Sequence, residues 1–199
     1  MTRKVTPVEI REGVRATFTR VAETPTASFR FPVGATLARQ VGYPEDVLAS
    51  VPSSATECFT GLAYLHPHLN LLPGERVLDL GSGGGLDAVL AARAVAPNGS
   101  VKGLDLAAAM IARARALAAT LGVKNAEFVE GNAEAMPFAD ATFDAALVNG
   151  FFNLCPEKAA VAHELWRVLK PGGRAAVSEI TFTDPLPPTE VRTIDDWFR

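Results

Sequence analysis

The chain has 199 residues, of which 48% are apolar and 21% charged, and its formal net charge is −3. This length and composition suit one well-packed domain with a modest extension. The charges form no basic cluster, which argues against a nucleic-acid partner, and no stretch reaches the ~20 apolar residues that span a bilayer. Cys58 and Cys155 lie far apart without CxxC spacing, so we expect neither a disulfide scaffold nor a structural zinc site. A cytoplasmic location is the resulting expectation.

Residues 1–72 are predicted to form a helical extension that packs beside the strand ends as a lid. PVEIREGVRATFTRVAE, residues 7–23, is typical of a helix. Residues 44–51 are predicted to form a short helix, and residues 54–65 another. The segment is too short and irregular to have a core of its own, so we do not treat it as an independent domain.

From residue 76 onward, strand-like and helix-like segments alternate. The predicted strands are residues 76–80, 100–106, 125–130, 142–149 and 174–180. The predicted helices are residues 86–96, 107–122 and 156–170, and the PGG at 171–173 is a predicted turn. Strands separated by such helices indicate right-handed crossovers, so the fold class is α/β with a parallel sheet covered on both faces. Residues 195–198 are predicted to begin a helix with nothing to pack against, and we therefore expect the chain to be truncated.

The stretch VLDLGSGGGLDAV, residues 77–89, contains four glycines and one serine between two apolar runs. A strand that ends in a tight glycine turn and continues as a helix points backbone N–H groups and a helix N-terminus at one spot. This arrangement is typical of a nucleotide-like cofactor at the carboxyl edge of a parallel sheet. The alternative is a turn that only packs a helix tightly on its strand.

Two acidic residues and one leucine narrow the choice of cofactor. A dinucleotide fingerprint that starts at Gly81 needs Gly or Ala at position 86, where this chain has Leu86. Asp79 stands at the strand end, where an acid suits a positively charged ligand such as S-adenosylmethionine, which has an ammonium, a sulfonium and no phosphate. Asp105 ends the second strand, where a carboxylate can accept both hydrogen bonds of a ribose diol. Alternatively, Asp105 caps the following helix.

The motifs VLDLGSGGG, GLDLAAAM, EGNAEAMPFADATFDAALVN and ELWRVLKPGGRAAVSE together resemble class I S-adenosylmethionine-dependent methyltransferases over about residues 75–180. The resemblance implies a Rossmann-like, mostly parallel sheet in a cofactor-binding domain of residues 73–199. The family also has a C-terminal sheet hairpin, which we expect to be missing from this sequence. The resemblance also implies S-adenosylmethionine as cofactor and a role for each residue that matches a family motif. The methionine end would be held by Asp79, Gly81, Ser82 and Gly83, the ribose by Asp105, and the adenine by Leu106, Asn132 and Ala133. Asn149, at the end of the fourth strand, would face the methyl group and the acceptor as the catalytic residue.

Further stretches, among them IREGVRATFTRVAE, GYPEDVLASVPSSA and NGFFNLCPEK, resemble the arsenite methyltransferase group and its uncharacterised relatives. That resemblance implies cysteine thiolates that bind trivalent arsenic, and soft thiolates suit such a soft centre. Cys58 is displaced from the family position, and Gly150 stands where a second cysteine is expected. The alternative for Cys58 and Cys155 is that they are buried, unreactive thiols.

The HPH sequence of His66 and His68 invites a metal site, but no third ligand is evident, the proline indicates a loop, and we expect no metal. Four phenylalanines either wall the acceptor pocket or pack in the core: Phe29, Phe31, Phe151 and Phe152. The leading hypothesis is methyl transfer to a small-molecule acceptor. The alternatives are a cofactor-binding protein or fragment without catalysis and, more weakly, a nicotinamide-dependent oxidoreductase.

Overall fold

The computed structural model describes residues 5–181 together with Thr193 and Trp197. Four α-helices precede the sheet: α1 (Pro7–Glu23), α2 (Ala35–Gln40), α3 (Glu45–Ala49) and α4 (His66–Leu69). The strands are β1 (Arg76–Leu80), β2 (Ser100–Asp105), β3 (Ala126–Glu130), β4 (Phe143–Asn149) and β5 (Leu169–Ser178). Between the strands lie α5 (Leu86–Val95), α6 (Ala108–Thr120) and α7 (Lys158–Val168). Single 3₁₀ turns occur at Ser53–Ala55, Ala133–Ala135 and Phe152–Leu154.

The five described strands form one sheet in the order β3-β2-β1-β4-β5, and all four neighbouring pairs are parallel. Helices connect the strands and cover both faces of the sheet, so the α/β fold class and the mostly parallel Rossmann-like sheet predicted from the sequence are confirmed. The strand order reverses beside β1, which pairs with β2 on one side and β4 on the other. Ligands bind at such a switch point, at the carboxyl ends of the strands.

The side chains of alternate residues in the central strands pack into two separate apolar layers, one on each face of the sheet. Val77 and Leu147 face α5 and α6, whereas Leu78 and Val148 face α7. Each of these four side chains is fully buried. Because Asp79 follows this alternation, it points into the layer beneath α5 and is itself only 2% exposed.

Helix α1 has the N-terminal cap and the apolar face that its sequence indicates. Thr6 caps it, its side chain accepting a hydrogen bond from the Glu9 N–H while the Glu9 carboxylate accepts one from the Thr6 N–H. Its buried side chains recur at helical spacing, and they are Ile10, Val14, Val21 and Ala22. Phe18 packs near Val21 in a small cluster with Met110 of α6. The extension therefore lies against the domain through an apolar helix face.

Three predictions about secondary structure were wrong. Residues 54–65 are not a helix, because the Leu62 and Ala63 N–H groups donate to the side chain of Asn149 rather than to helical carbonyls. The PGG turn lies within β5, where Leu169 pairs with Phe143 and residue 174 with residue 145, so the intervening residues bulge. The HPH sequence forms the helical turn α4 rather than a loop. Helix α2 was not predicted.

The helix predicted at residues 195–198 lies outside the described residues, apart from Trp197. No helix in the described part of the chain has the length and apolar character needed to cross a membrane.

Candidate functional site

Two adjoining cavities open where β1, β2 and β4 end. The larger has a volume of about 750 Å³ and the smaller of about 420 Å³, including space open to solvent. Nine residues were predicted from the sequence to serve this site: Asp79, Gly81, Ser82, Gly83, Asp105, Leu106, Asn132, Ala133 and Asn149. Every one of them lines at least one of the two cavities. Gly81, Gly83 and Asn149 line both, together with Thr60, so these residues form the shared wall. The structure therefore brings the predicted residues together, while their individual roles stay predictions.

The glycine turn after β1 needs glycine at specific places. Gly81 and Gly85 have φ of 76° and 87°, in the left-handed region that side chains disfavour. The Gly81 and Ser82 N–H groups both donate to the Leu104 carbonyl, at 2.8 and 3.0 Å, which ties the turn to β2. A Cβ atom on Gly81 would overlap the Phe151 ring. The turn is thus closely packed and presents backbone to the cavities.

Asp79 and Ser82 supply unused hydrogen-bonding capacity at the floor of the smaller cavity. Among the described residues, neither Asp79 Oδ2 nor Ser82 Oγ has a hydrogen-bond partner, although both atoms are buried. Burial, followed by the charges of Asp87 and Asp105, raises the pKa of Asp79 well above its usual range. Unpaired buried polar atoms are costly, and a cationic donor would relieve that cost. The ammonium group of S-adenosylmethionine is such a donor, and the sulfonium adds a second positive charge.

Asp105 connects the glycine turn to helix α6. Its carboxylate accepts hydrogen bonds from the Gly83 and Ala107 N–H groups, each at 2.9 Å. Ala107 is the N-cap residue of α6, so its bond to Asp105 is a turn contact before the helix and not the helix cap considered from the sequence. Burial raises the pKa of this carboxyl. Both oxygens keep further lone pairs, and Asp105 lines the larger cavity. A ribose diol can still bind there, and that role stays a prediction.

The far end of the larger cavity is closed by an ion pair that the sequence did not reveal. Asn132 Oδ1 accepts from the Glu134 N–H at 3.0 Å and so shapes the loop at the predicted adenine edge. Glu134 Oε2 in turn pairs with Arg11 of α1, at 2.8 to 2.9 Å. Helix α1 is thus fastened beside Asn132. No local pattern indicates a contact between residues so far apart in the chain.

The amide of Asn149 is fully used by neighbouring protein groups. Its Oδ1 accepts from the Leu62 and Ala63 N–H groups, at 2.7 and 3.2 Å. Its Nδ2 donates to the Ala63 carbonyl at 2.9 Å and to Asp87 Oδ2 at 3.0 Å. In this geometry the side chain holds the extension against the end of β4. Its predicted catalytic role is not tested by this arrangement.

Asp87, at the start of α5, is the centre of a buried polar network that the sequence interpretation missed. Asp87 Oδ1 accepts from the Tyr43 hydroxyl at 2.5 Å and lies 3.1 Å from His66 Nε2. Burial and the Asp87 charge raise the pKa of Tyr43. His66 thus contacts a carboxylate, whereas His68 is exposed. Within residues 5–181 no group of three or more His, Cys, Asp or Glu side chains could hold a metal ion.

Both cysteines are free and buried, and they line different cavities. Cys58 lies in the smaller cavity with its Sγ against Gly84, and Cys155 lies in the larger one. Burial raises the pKa of the Cys58 thiol and, aided by the Glu134 charge, raises that of Cys155 to about 12. Because the thiolate is the reactive form, these shifts favour the interpretation of unreactive thiols.

Of the four phenylalanines considered for the acceptor pocket, Phe151 alone lines either of the two cavities described above. Phe29 and Phe31 stack on each other with ring centroids 5.8 Å apart and pack beside Val21, and Phe152 packs in the layer below α7. For these three the core-packing alternative applies. Phe18 of α1, which the sequence interpretation passed over, lines the larger cavity instead.

The comparisons with known proteins agree with this geometry. Residues 71–199 match the family described as "Methyltransferase domain". An arsenite methyltransferase from Halobacterium salinarum is 41% identical over 74% of this chain and 38% of its own length. A demethylmenaquinone methyltransferase from Bacillus cytotoxicus is 36% identical over 56% of this chain and 47% of its own length. The chain therefore spans less than half the length of these two curated relatives.

Among solved structures, an arsenic(III) S-adenosylmethionine methyltransferase from Chlamydomonas reinhardtii superposes with a TM-score of 0.59 at 37% identity. The match covers 65% of this chain and 46% of that one. The alternative of a nicotinamide-dependent oxidoreductase gains no support from these matches. The family match, the parallel sheet and the glycine turn agree: the chain belongs to the methyltransferase domain family, among the class I S-adenosylmethionine-dependent methyltransferases.

Proposed function

We propose that this chain binds S-adenosylmethionine across the two cavities and transfers its methyl group to a small-molecule acceptor. The observation that carries the proposal is the pair of unpartnered buried atoms, Asp79 Oδ2 and Ser82 Oγ, beside the glycine turn. Two further carboxylates, Asp87 and Asp105, add to the negative potential there. A cationic ligand at this point relieves both the missing hydrogen bonds and the repulsion among the acids.

The cofactor supplies an electrophilic methyl group on a positively charged sulfur. Asp79 and Ser82 bind its methionine end, and the Asp105 carboxylate orients the ribose. The shared wall around Asn149 fixes the boundary between the two cavities. Methyl transfer to a good nucleophile needs mainly alignment and exclusion of water. The apolar side chains of Phe18 and Phe151 serve the second need, and the proposal requires no general base.

Calorimetry with S-adenosylmethionine and with S-adenosylhomocysteine tests cofactor binding. We expect both to bind the wild type, and Asp79→Asn to weaken S-adenosylmethionine binding by about 10- to 100-fold, the value of a hydrogen bond to a charged group. Asp46→Asn removes an exposed carboxylate on α3 and should leave the affinity unchanged. If neither compound binds the wild type, the proposal is wrong.

Mass spectrometry tests catalysis separately. Incubation with S-adenosylmethionine and a panel of small-molecule acceptors should yield S-adenosylhomocysteine and one methylated product in equal amounts. Binding of the cofactor without product from any acceptor would favour the second candidate, a cofactor-binding protein or fragment without catalysis. The observation behind that candidate is that this chain spans only 38% and 47% of the two curated relatives reported above.

We further propose that the thiols of this chain do not serve a metalloid acceptor, although two of the relatives are named for arsenic. The support is the burial of Cys58 and Cys155, their raised pKa values and their placement in different cavities. We expect no methylated arsenic when arsenite, a free thiol and the cofactor are supplied. Methylated arsenic that disappears in the double variant Cys58→Ser, Cys155→Ser would overturn this.

The division into a lid of residues 1–72 and a cofactor-binding domain of residues 73–199 is also proposed. Its support is the contact of α1 with both α6 and the Ala133–Ala135 turn, across the larger cavity. A cavity of about 750 Å³ that is partly covered by α1 favours a small molecule over a nucleic-acid acceptor. A cytoplasmic location fits two free cysteines, and imaging of a C-terminally tagged chain in its native cell tests it.

A further inference from the structure

Part of the wall of the larger cavity is apolar and comes from residues that were not predicted to hold the cofactor. Val14 and Phe18 contribute to it from α1, and Phe151 and Leu154 from the segment after β4. Both segments line the same cavity. A ligand body placed between them contacts aromatic and aliphatic surface, which favours a planar apolar molecule over a small hydrated one.

Two arginines border the same cavity, and only one of them has a partner. Arg11 pairs with Glu134, whose side chain is 10% exposed. Arg15 is exposed, lies one helical turn further along α1, and makes no hydrogen bond or ion pair with any residue that the structure describes. The carboxylates that line this cavity, Asp105 and Glu134, are already bonded to other groups. Of the two described arginines that line this cavity, Arg15 is therefore the one whose charge no described carboxylate pairs with.

Building on the methyltransferase function proposed above, we propose that the acceptor is a planar, apolar molecule with a single anionic group, of the aromatic carboxylate type. Its body lies between Phe18 and Phe151, and its anion faces Arg15. A guanidinium binds a carboxylate with two parallel hydrogen bonds, which orients the acceptor as well as attracting it. A cationic acceptor would meet repulsion from Arg15, and an arsenite-sized acceptor would leave the apolar wall uncovered.

Two probes of the same shape separate the charge from the apolar body. We would titrate trans-cinnamate and trans-cinnamamide into the protein saturated with S-adenosylhomocysteine, and follow binding by calorimetry or ligand-observed NMR. Because Arg15 is partly solvated, we expect cinnamate to bind about tenfold more tightly than cinnamamide, rather than the larger factor of a buried pair. Added salt should reduce the preference.

Matched arginine variants locate the effect. Arg15→Gln should abolish the preference for cinnamate and leave cinnamamide binding unchanged. Arg20→Gln removes the same charge from the same helix, at a residue that stacks on Phe29 away from the cavity, and should keep the preference. Equal binding of both probes by the wild type, or no binding of either, would overturn the inference without the need for any variant. An equal loss of the cinnamate preference in the two variants would also overturn the inference.

The titrations are repeated on the protein without S-adenosylhomocysteine. Cinnamate preference in the absence of any cofactor binding would support the acceptor site while refuting the methyltransferase proposal. Cofactor binding without a preference for cinnamate would support the methyltransferase proposal and refute the acceptor site.

Discussion

The carboxyl group of Asp79 lies where ionisation costs free energy. It is buried in the central strand of the sheet, Asp87 and Asp105 lie close enough to raise its pKa, and one of its oxygens has no partner among the described residues. A residue with these properties destabilises the empty protein in its charged form. The same properties make it a strong partner for a cation, because little water must be displaced when the ligand binds.

The raised pKa of Asp79 predicts how stability depends on pH. The unfolded chain loses this proton near pH 3.8, whereas the folded chain keeps it to a higher pH. Over that window the folded state binds more protons, so the free energy of unfolding falls as pH rises, by at most about 1.4 kcal/mol per pH unit for one group. Urea unfolding without cofactor between pH 4 and 8 should show a shallower fall in Asp79→Asn than in Asp46→Asn. Equal slopes would contradict the assignment.

Gly81 shows how closely the turn is packed. Gly81→Ala places a side chain both in the left-handed region, at φ 76°, and against the Phe151 ring. Gly172→Ala has the same backbone strain, at φ 80°, with nothing within 4 Å of the new carbon. We expect the control to lose about 1 kcal/mol and Gly81→Ala to lose about 1–3 kcal/mol more from overpacking. Urea unfolding of both variants measures the difference, and equal losses would contradict the packing argument.

At the residue scale, sequence reasoning found the groups that stand next to a recognisable local pattern. Asp79 and Asp105 stand at strand ends beside the glycine turn, and they do meet at the cavities. Asp87 escaped notice because its partners, Tyr43 and His66, come from a different part of the chain. A pattern within one segment carries no information about which distant donor will face a carboxylate.

The elements of the extension are held to the sheet by polar contacts as much as by apolar ones. Asp87 receives donors from Tyr43 and from Asn149, and Asn149 in turn receives the N–H groups of Leu62 and Ala63. The network therefore connects the start of α5, the end of β4 and two segments of the extension. Such a network is worth more than its individual bonds when every member is satisfied.

Removing the Asp87 charge should loosen the extension selectively. Asp87→Asn turns one of the two accepting oxygens into a donor that faces either the Tyr43 hydroxyl or Asn149 Nδ2, so we expect a loss of about 1–3 kcal/mol in the free energy of unfolding. Hydrogen exchange at the Leu62 and Ala63 amides should quicken more than exchange in β1. Glu45→Gln breaks the exposed pair with Arg39 and should change neither quantity. Unchanged exchange at the two amides in Asp87→Asn would contradict the network's role.

At the element scale, the segments predicted correctly are those whose own periodicity decides their structure. Helix α1, with its capping box and apolar stripe, matches the prediction for residues 7–23. Residues 54–65 failed because Gly61 packs against Phe59 and Asn149, 2.6 Å from an added Cβ, and its neighbours bond to a side chain 86 or 87 positions away. Tertiary contacts there override local preference.

For the whole molecule, binding of the proposed cofactor should stabilise the folded state against unfolding. A ligand that binds only the folded state at 100 times its Kd adds about 2.7 kcal/mol, which for a chain of this size raises Tm by roughly 5–11 °C. Thermal unfolding followed by circular dichroism with S-adenosylmethionine measures the shift. Asp79→Asn at the same cofactor concentration should show a much smaller one. A wild-type Tm that stays constant at saturating cofactor would contradict the prediction.

The whole-molecule fold was predictable because alternation of strands and helices leaves few topologies open. The order β3-β2-β1-β4-β5 is one of the orders that parallel strands joined by right-handed crossovers allow. Placement of the extension was not predictable in the same way. The placement depends on the ion pair of Arg11 with Glu134 and on the hydrogen bond from the Leu62 N–H to Asn149. Both contacts join distant segments and are decided by the shape and charge of the side chains.

The hydrogen bond between Leu62 and Asn149 can form only after both residues have been translated. The two residues are 87 positions apart, so at about 5–20 residues per second the first emerges roughly 4–17 s before the second. During that interval the Leu62 N–H, like the β1 edge that will later receive β4, lacks its native partner on the nascent chain. The segment around Leu62 is thus translated before the strand that holds it, and the Leu62 N–H reaches its native acceptor only after β4 has been made.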